Sequence, residues 1–165
     1  MKTIDYILCV FSGTSVANRK KTAWYVDGLH FECQWCGGCC SGPAEGYIWV
    51  TRPEMKLIAD SLGISVGQLK SDYLRRVGLR MSIIEHDITK DCIFLRKIDG
   101  ARKCMIYSVR PTQCRSWPFW PGNLASGKAW NETTRKCPGV NRGRLHTYQE
   151  IQKLKRLRKW WQSSK

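Results

Sequence analysis

Four cysteines fall within eight residues in 33-CQWCGGCC-40, and the last two are adjacent. Four more follow at wide intervals: Cys92, Cys104, Cys114 and Cys137. Thiolates take up zinc and iron–sulfur clusters in sets of four. Eight cysteines therefore suffice for two such sets. Cys33, Cys36 and Cys39 stand three residues apart, so one tight loop can turn all three sulfurs toward one centre. Cys40 then points elsewhere. The simplest consequence is two centres, or one dinuclear centre, sharing the run. Gly37 and Gly38 let the backbone turn sharply there.

The spacing also bears on the metal. Zinc sites often join two separated C-x2-C pairs, and this chain has no second pair. A triple run completed by one distant cysteine favours a [4Fe–4S] cluster at one centre, with zinc as the alternative. Disulfides are disfavoured. The total of nine cysteines is odd and the chain is long. The segment 1-MKTIDYILCVF-11 has one Lys, then Asp5, then an apolar run of six residues, too short and wrongly charged to act as a signal peptide. A cytoplasmic location is the expectation, and no apolar run approaches a membrane span. Cys9 sits in 6-YILCVF-11 and reads as a small buried hydrophobe. His30, His86 and His146 read as incidental to the metal.

The elements that must position these sulfurs suggest an α+β domain of short strands and helices. Residues 47–51 read as a strand. In 51-TRPE-54, Thr51 and Glu54 form a capping box with Pro53 in the first turn. Met55, Leu57, Ile58 and Leu62 share one face of that helix, and Gly63 stops it. Ser65 and Gln68 start a second helix, expected to run to about Arg76. Residues 79–87 partly alternate like a strand. Asp99-Gly100 is a hairpin signal between 92-CIFL-95 and 104-CMIY-107, which places Cys92 and Cys104 on neighbouring strands.

Pro111 suits the first turn of a short helix capped by Ser108, with Cys114 upon it. A helix N-terminus there would favour the Cys114 thiolate. Arg110 and Arg115 would offset the negative charge of a four-thiolate set. Trp117, Phe119 and Trp120 would wall the site from water.

Taken together, 31-FECQWCGGCC-40, 92-CIFL-95, 104-CMIYSVRPTQCRSWPFW-120 and 137-CPG-139 resemble the YkgJ-type cysteine-cluster family, CxxCxxCC, across roughly residues 29 to 140. The family is described as a zinc- or iron-chelating domain. The resemblance implies Cys33, Cys36, Cys39, Cys40, Cys92, Cys104, Cys114 and Cys137 as metal ligands. Some relatives bear the name flagellin lysine N-methylase. No glycine-rich nucleotide fingerprint accompanies that name here, so lysine methylation is analogy alone. No catalytic residue stands out.

The chain then divides into an N-terminal segment packed on the domain (1–28), the cysteine-cluster metal-binding domain that the resemblance spans (29–140) and a basic amphipathic C-terminal helix (141–165). The formal net charge is +15. Residues 141–165 hold eight Lys or Arg and one acid, Glu150. There 147-TYQE-150 opens a helix with Ile151, Leu154, Leu157 and Trp161 on a narrow apolar stripe. Lys153, Lys155, Arg156, Arg158 and Lys159 cover its other faces. Such a helix either packs on the domain or offers a contact to RNA, DNA or an anionic surface, with 19-RKK-21 adding charge. Contact with nucleic acid would be phosphate-driven and salt-sensitive.

Overall fold

Local chemistry at Thr51 opens the helix on which much of the fold is assembled. The computed structural model describes residues 22–157. In it, α1 (Arg52–Leu62) begins with the full capping box: Thr51 Oγ1 accepts from Glu54 N, and Glu54 Oε2 accepts from Thr51 N at 2.8 Å. Gly63, at φ 67°, ends it. Ser65 caps α2 (Val66–Tyr73), its Oγ accepting from Gln68 N.

The second helix is shorter than its sequence suggests. Residues Leu74–Val77 form a strand, β3, paired with β4 (Arg80–Ile83). Gly78, at φ 59°, supplies the left-handed residue of the connecting turn. Leu74 lies opposite Ile83, and both are buried. Cross-strand packing thus overrides the helical period. The third strand of that antiparallel sheet is β2 (Ile48–Val50), and the order is β2-β4-β3.

Asp99 and Gly100, both at positive φ, join the hairpin strands β5 (Leu95–Ile98) and β6 (Ala101–Cys104). A third antiparallel pair joins β1 (Leu29–Phe31) to β7 (Val140–His146). The remaining helices are α3 (Thr112–Arg115), α4 (Gly127–Thr133) and α5 (Tyr148–Leu157). The mixture of helices and short antiparallel strands is α+β, as the sequence suggested.

Two apolar cores result. The first packs Ile58, Leu69, Ile83 and Phe94 between α1, α2 and the three-stranded sheet, and it includes Cys92. The second packs Phe119, Trp130, Val140 and Ile151 and includes Cys137. The C-terminal helix expected over 141–165 does not begin at 141: residues up to His146 belong to β7, held by pairing with β1, and α5 starts at Tyr148. α5 carries its own capping box from Thr147 and Glu150 and seats Ile151 and Leu154 on the second core. Trp161, Arg158, Lys159, Cys9 and the 19-RKK-21 run lie outside the described residues. Among the described residues, no helix is long and apolar enough to cross a membrane.

Candidate metal centre

The cysteine loop sits between the two cores and is tied to both. Gly37 takes the left-handed conformation, φ 70°, and opens a 3₁₀ turn over Gly38–Cys40. Cys40 N and Ser41 Oγ both donate to the Gly37 carbonyl, at 2.9 and 2.7 Å. Gly38 presses on the Lys136 carbonyl so closely that a Cβ would collide with it. That contact brings the loop against the segment carrying Cys137. On the other side, Cys92 N donates to Cys40 O at 2.8 Å, which ties the loop to the first core.

The other ligand candidates arrive on short elements. Cys104 ends β6, opposite Leu95. Cys92 is not on a neighbouring strand as the hairpin signal suggested. It precedes β5 by three residues and makes an isolated bridge to Glu85. The turn at Asp99-Gly100 leaves only four residues on each strand, so pairing ends before Cys92 is reached. Cys114 lies on α3 as expected, but Ser108 does not cap that helix. Ser108 is part of a 3₁₀ turn over Tyr107–Val109, and Pro111 holds the cap position. Glu54 of α1 substitutes from a distance: its Oε1 accepts from Thr112 N at 2.7 Å. One buried carboxylate therefore closes the starts of both α1 and α3.

All eight cysteines of the pattern border two adjoining cavities. The first, of about 40 Å³, is lined by Cys33, Cys39, Cys40, Cys92, Cys104 and Cys114. The second, of about 70 Å³, is lined by Cys33, Cys36, Cys39, Cys114 and Cys137. Cys33, Cys39 and Cys114 thus stand on the shared wall. The eight thiols are all free of disulfides. Among the described residues, no three Cys, His, Asp or Glu side chains already converge as a finished ion-binding set. The test of fit is then the chemistry of the donors, and it is favourable. The sulfurs are soft ligands that suit zinc or iron. N–H donors that suit thiolates stand beside them: Gly38 N lies 3.4 Å from Cys36 Sγ. Trp117 Nε1 is buried without a hydrogen bond of full geometry and lies beside the Cys137 sulfur.

Electrostatics separates the thiols. The Cys39 and Cys40 sulfurs are 3.7 Å apart. Their mutual hydrogen bond lowers the Cys39 pKa to about 7 and, with burial, drives that of Cys40 up. Burial is also the main cause that raises Cys92 to about 12 and raises Cys104, Cys114 and Cys137. The expected helix-end activation of Cys114 does not occur. Burial and the neighbouring Cys92 and Cys39 push its thiol up, and α3 is only four residues long. The Glu54 carboxylate also occupies the end of that helix.

Arg110 fills the role expected of a counter-charge. It lines both cavities and pulls Cys39, Cys104 and Cys114 downward. Its guanidinium lies 3.6 Å from the Tyr107 ring centroid, and Trp35 stacks on the same ring at 3.7 Å. Arg115 lines only the second cavity and bonds Thr112 Oγ1. Trp117 walls the second cavity, with Trp120 packed edge-on against it at 4.9 Å. Phe119 belongs instead to the second core, stacked on Trp130. The histidines keep away: His30 bonds Gly143 O, His86 meets Arg96, and His146 bonds Phe31 O.

Sequence reasoning missed Tyr107, Trp35 and Arg102 as lining residues of the first cavity. Aromatic residues beside Cys36 and three positions beyond Cys104 were the available signal.

A family model named CxxCxxCC, described as "Putative zinc- or iron-chelating domain", matches residues 32–138. The chain belongs to the CxxCxxCC family. The CxxCxxCC match begins just before Cys33 and ends just after Cys137, so it encloses all eight cysteines of the two cavities and excludes Cys9. Among curated proteins, an uncharacterized protein of Methanocaldococcus jannaschii is 32% identical over 108 residues. The aligned stretch covers 65% of this chain and 55% of that protein, so the chain spans about half the relative's length. No solved structure matches.

Proposed function

We propose that this protein holds two adjoining four-thiolate metal centres. Cys33, Cys36, Cys39 and Cys137 would form one, and Cys40, Cys92, Cys104 and Cys114 the other. The observation that carries this reading is the distribution of sulfurs over the two cavities. Cys36 and Cys137 line only the second; Cys40, Cys92 and Cys104 line only the first. The three shared cysteines complete a division of four and four. The first set contains the C-x2-C-x2-C run and one distant cysteine, which suits a [4Fe–4S] cluster. The other, with Cys92 buried, Cys114 half-buried and no close pair, suits a closed structural zinc site.

A thiolate-bound metal supplies cross-linking of distant segments and, where it is iron–sulfur, one-electron redox capacity. The chain's own residues do the rest. Arg110 offsets sulfur charge on both sides of the shared wall, and Gly38 N and Trp117 Nε1 present N–H groups to the second-cavity sulfurs. Trp117 and the Trp35–Tyr107 stack exclude water.

Elemental and sulfide analysis of protein purified without air, with its visible spectrum, tests this. The expected result is about four iron, about four sulfide and about one zinc per chain, with brown colour. A colourless protein with about two zinc would overturn the cluster assignment and leave the two-centre reading standing. Neither metal in native material would overturn both.

A further inference from the structure

A broad concavity lies away from the cysteines. It is a groove of about 750 Å³ where the start of α1, the end of α2 and the β3–β4 turn meet. Four cations line it: Arg52, Lys70, Arg76 and Arg80. No Asp or Glu does. Arg52, Lys70 and Arg76 are exposed, and none of the three has a carboxylate partner among the described residues. Three separate elements thus gather like charges around one concave surface, which raises a positive potential focused on the groove.

Arg80 also lies 5.7 Å from the centre of the Trp49 ring, on the groove's rim. Trp49 stacks nearly parallel on Tyr47 at 5.0 Å, and Arg75 lies 5.0 Å from the Tyr47 centroid. Of this row of cation and aromatic planes, Arg80 and Trp49 line the groove; Tyr47, 48% exposed, and Arg75, paired with Glu85 at 3.6 Å, continue it beyond the lining. Leu79, at the tip of the β3–β4 turn, is 87% exposed and adds an apolar contact.

We propose that this groove binds a single-stranded segment of nucleic acid through its phosphates. Charge complementarity selects a polyanion, and the volume is that of a pocket for one or a few nucleotides. A concave groove of this size takes a flexible strand that can follow it, whereas a duplex presents a stiff convex wall. Alternating basic and aromatic groups are the recurring surface for single strands, with the cations on the backbone and the rings beside the bases. The proposal concerns a surface separate from the thiols and does not depend on which metal they hold.

The test is fluorescence anisotropy of the full, metal-loaded chain with a labelled oligouridylate of about 15 nucleotides, a length within single-strand site sizes. Affinity is expected to fall with salt at a log–log slope of about −2, from about −0.7 per phosphate for three contacts. Combining Arg52→Glu, Lys70→Glu and Arg76→Glu should weaken binding at least about tenfold and flatten the salt slope. Combining Lys97→Glu, Lys128→Glu and Arg135→Glu, all exposed and all elsewhere, changes net charge equally and should leave affinity within about twofold. Circular dichroism and metal content check that both variants are folded. If the first triple variant does not fold, Lys70→Ala and Arg76→Ala singly replace it, each flattening the slope by about 0.7. Absence of binding at low salt overturns the proposal. So does equal loss in both triple variants, tighter binding of a duplex of the same length, or preference for vesicles rich in anionic lipid that the groove substitutions abolish.

Discussion

The α1 helix and the CQWCGGCC loop are near neighbours built on opposite physical plans. α1 is held by terms that any globular protein uses: a complete capping box, a glycine stop, and Met55, Ile58 and Ala59 buried in the first core. The loop has one 3₁₀ turn with no buried residue of its own, a non-glycine residue, Trp35, at φ 55°, and four cysteines. Its ties to the body are backbone contacts to Cys92 and to Lys136 and the stack of half-exposed Trp35 on Tyr107. Apolar burial accounts for the placement of α1 but contributes little to the loop. The difference teaches that the two halves of the site should respond differently to loss of metal and to loss of packing.

The largest effect should come from attacking the loop's side of that contrast. Cys36→Ser removes a sulfur that lines only the second cavity, and Cys114→Ser one on the shared wall. Both should lower metal content and the melting temperature, because structural thiolate sites contribute about 10 kcal/mol or more of apparent binding free energy to folding. Cys9→Ser should leave metal content unchanged. Full metal retention in Cys36→Ser and Cys114→Ser would sink the ligand assignment. Cys36→Ser against Cys40→Ser sharpens it further: each should deplete a different centre, and equal depletion of both would show one coupled centre.

Packing on the α1 side gives an intermediate effect. Ile58 is fully buried in the first core. Ile58→Ala should cost about 2–5 kcal/mol in urea unfolding while metal stoichiometry stays constant below the transition. Metal loss from the folded variant would mean that the two regions are not separable.

The smallest effect should be at the residue joining them. Glu54 is only 8% exposed and accepts from Thr51 N and Thr112 N. Burial works to raise its pKa, but these bonds outweigh it and hold the carboxyl below its ordinary 4.5. A carboxyl whose folded pKa is depressed stabilises the fold above the unfolded pKa, and that contribution is lost as pH falls through the folded value. Glu54→Gln should therefore cost about 1–2 kcal/mol near neutrality. The gap between wild type and variant, followed in melts from about pH 7 to about pH 3, should close on the acid side. A gap that is constant across that range would show that the charge of Glu54 is not what links α1 to α3.

The same two regions differ in how far they were legible. Thr51, Glu54 and Gly63 announced α1 because caps and stops act within three or four residues, and the strand before it followed from its flanking signals. Ser65 announced α2 equally well, but its end did not follow, since Leu74 obeys its partner Ile83 rather than its own neighbours. In the loop, Gly37 and Gly38 were legible as a turn. That Gly38 must abut Lys136 was not, because nothing within the loop encodes a residue almost a hundred positions away. Ser108 offered a plausible cap for α3, yet Glu54, 58 residues before Thr112, closes that helix instead.

The sequence by itself determined the candidate donors: eight soft sulfurs, their spacing in the run, and a strongly basic chain around them. It also determined where most short elements begin, since those signals lie within reach of one turn of backbone. Only the tertiary structure decided which sulfurs face which cavity, why the Cys114 thiol is raised rather than lowered, and where cations gather around one groove. Each of these depends on distances and on desolvation between segments far apart in the chain, and these are set by the way the two cores pack around the loop.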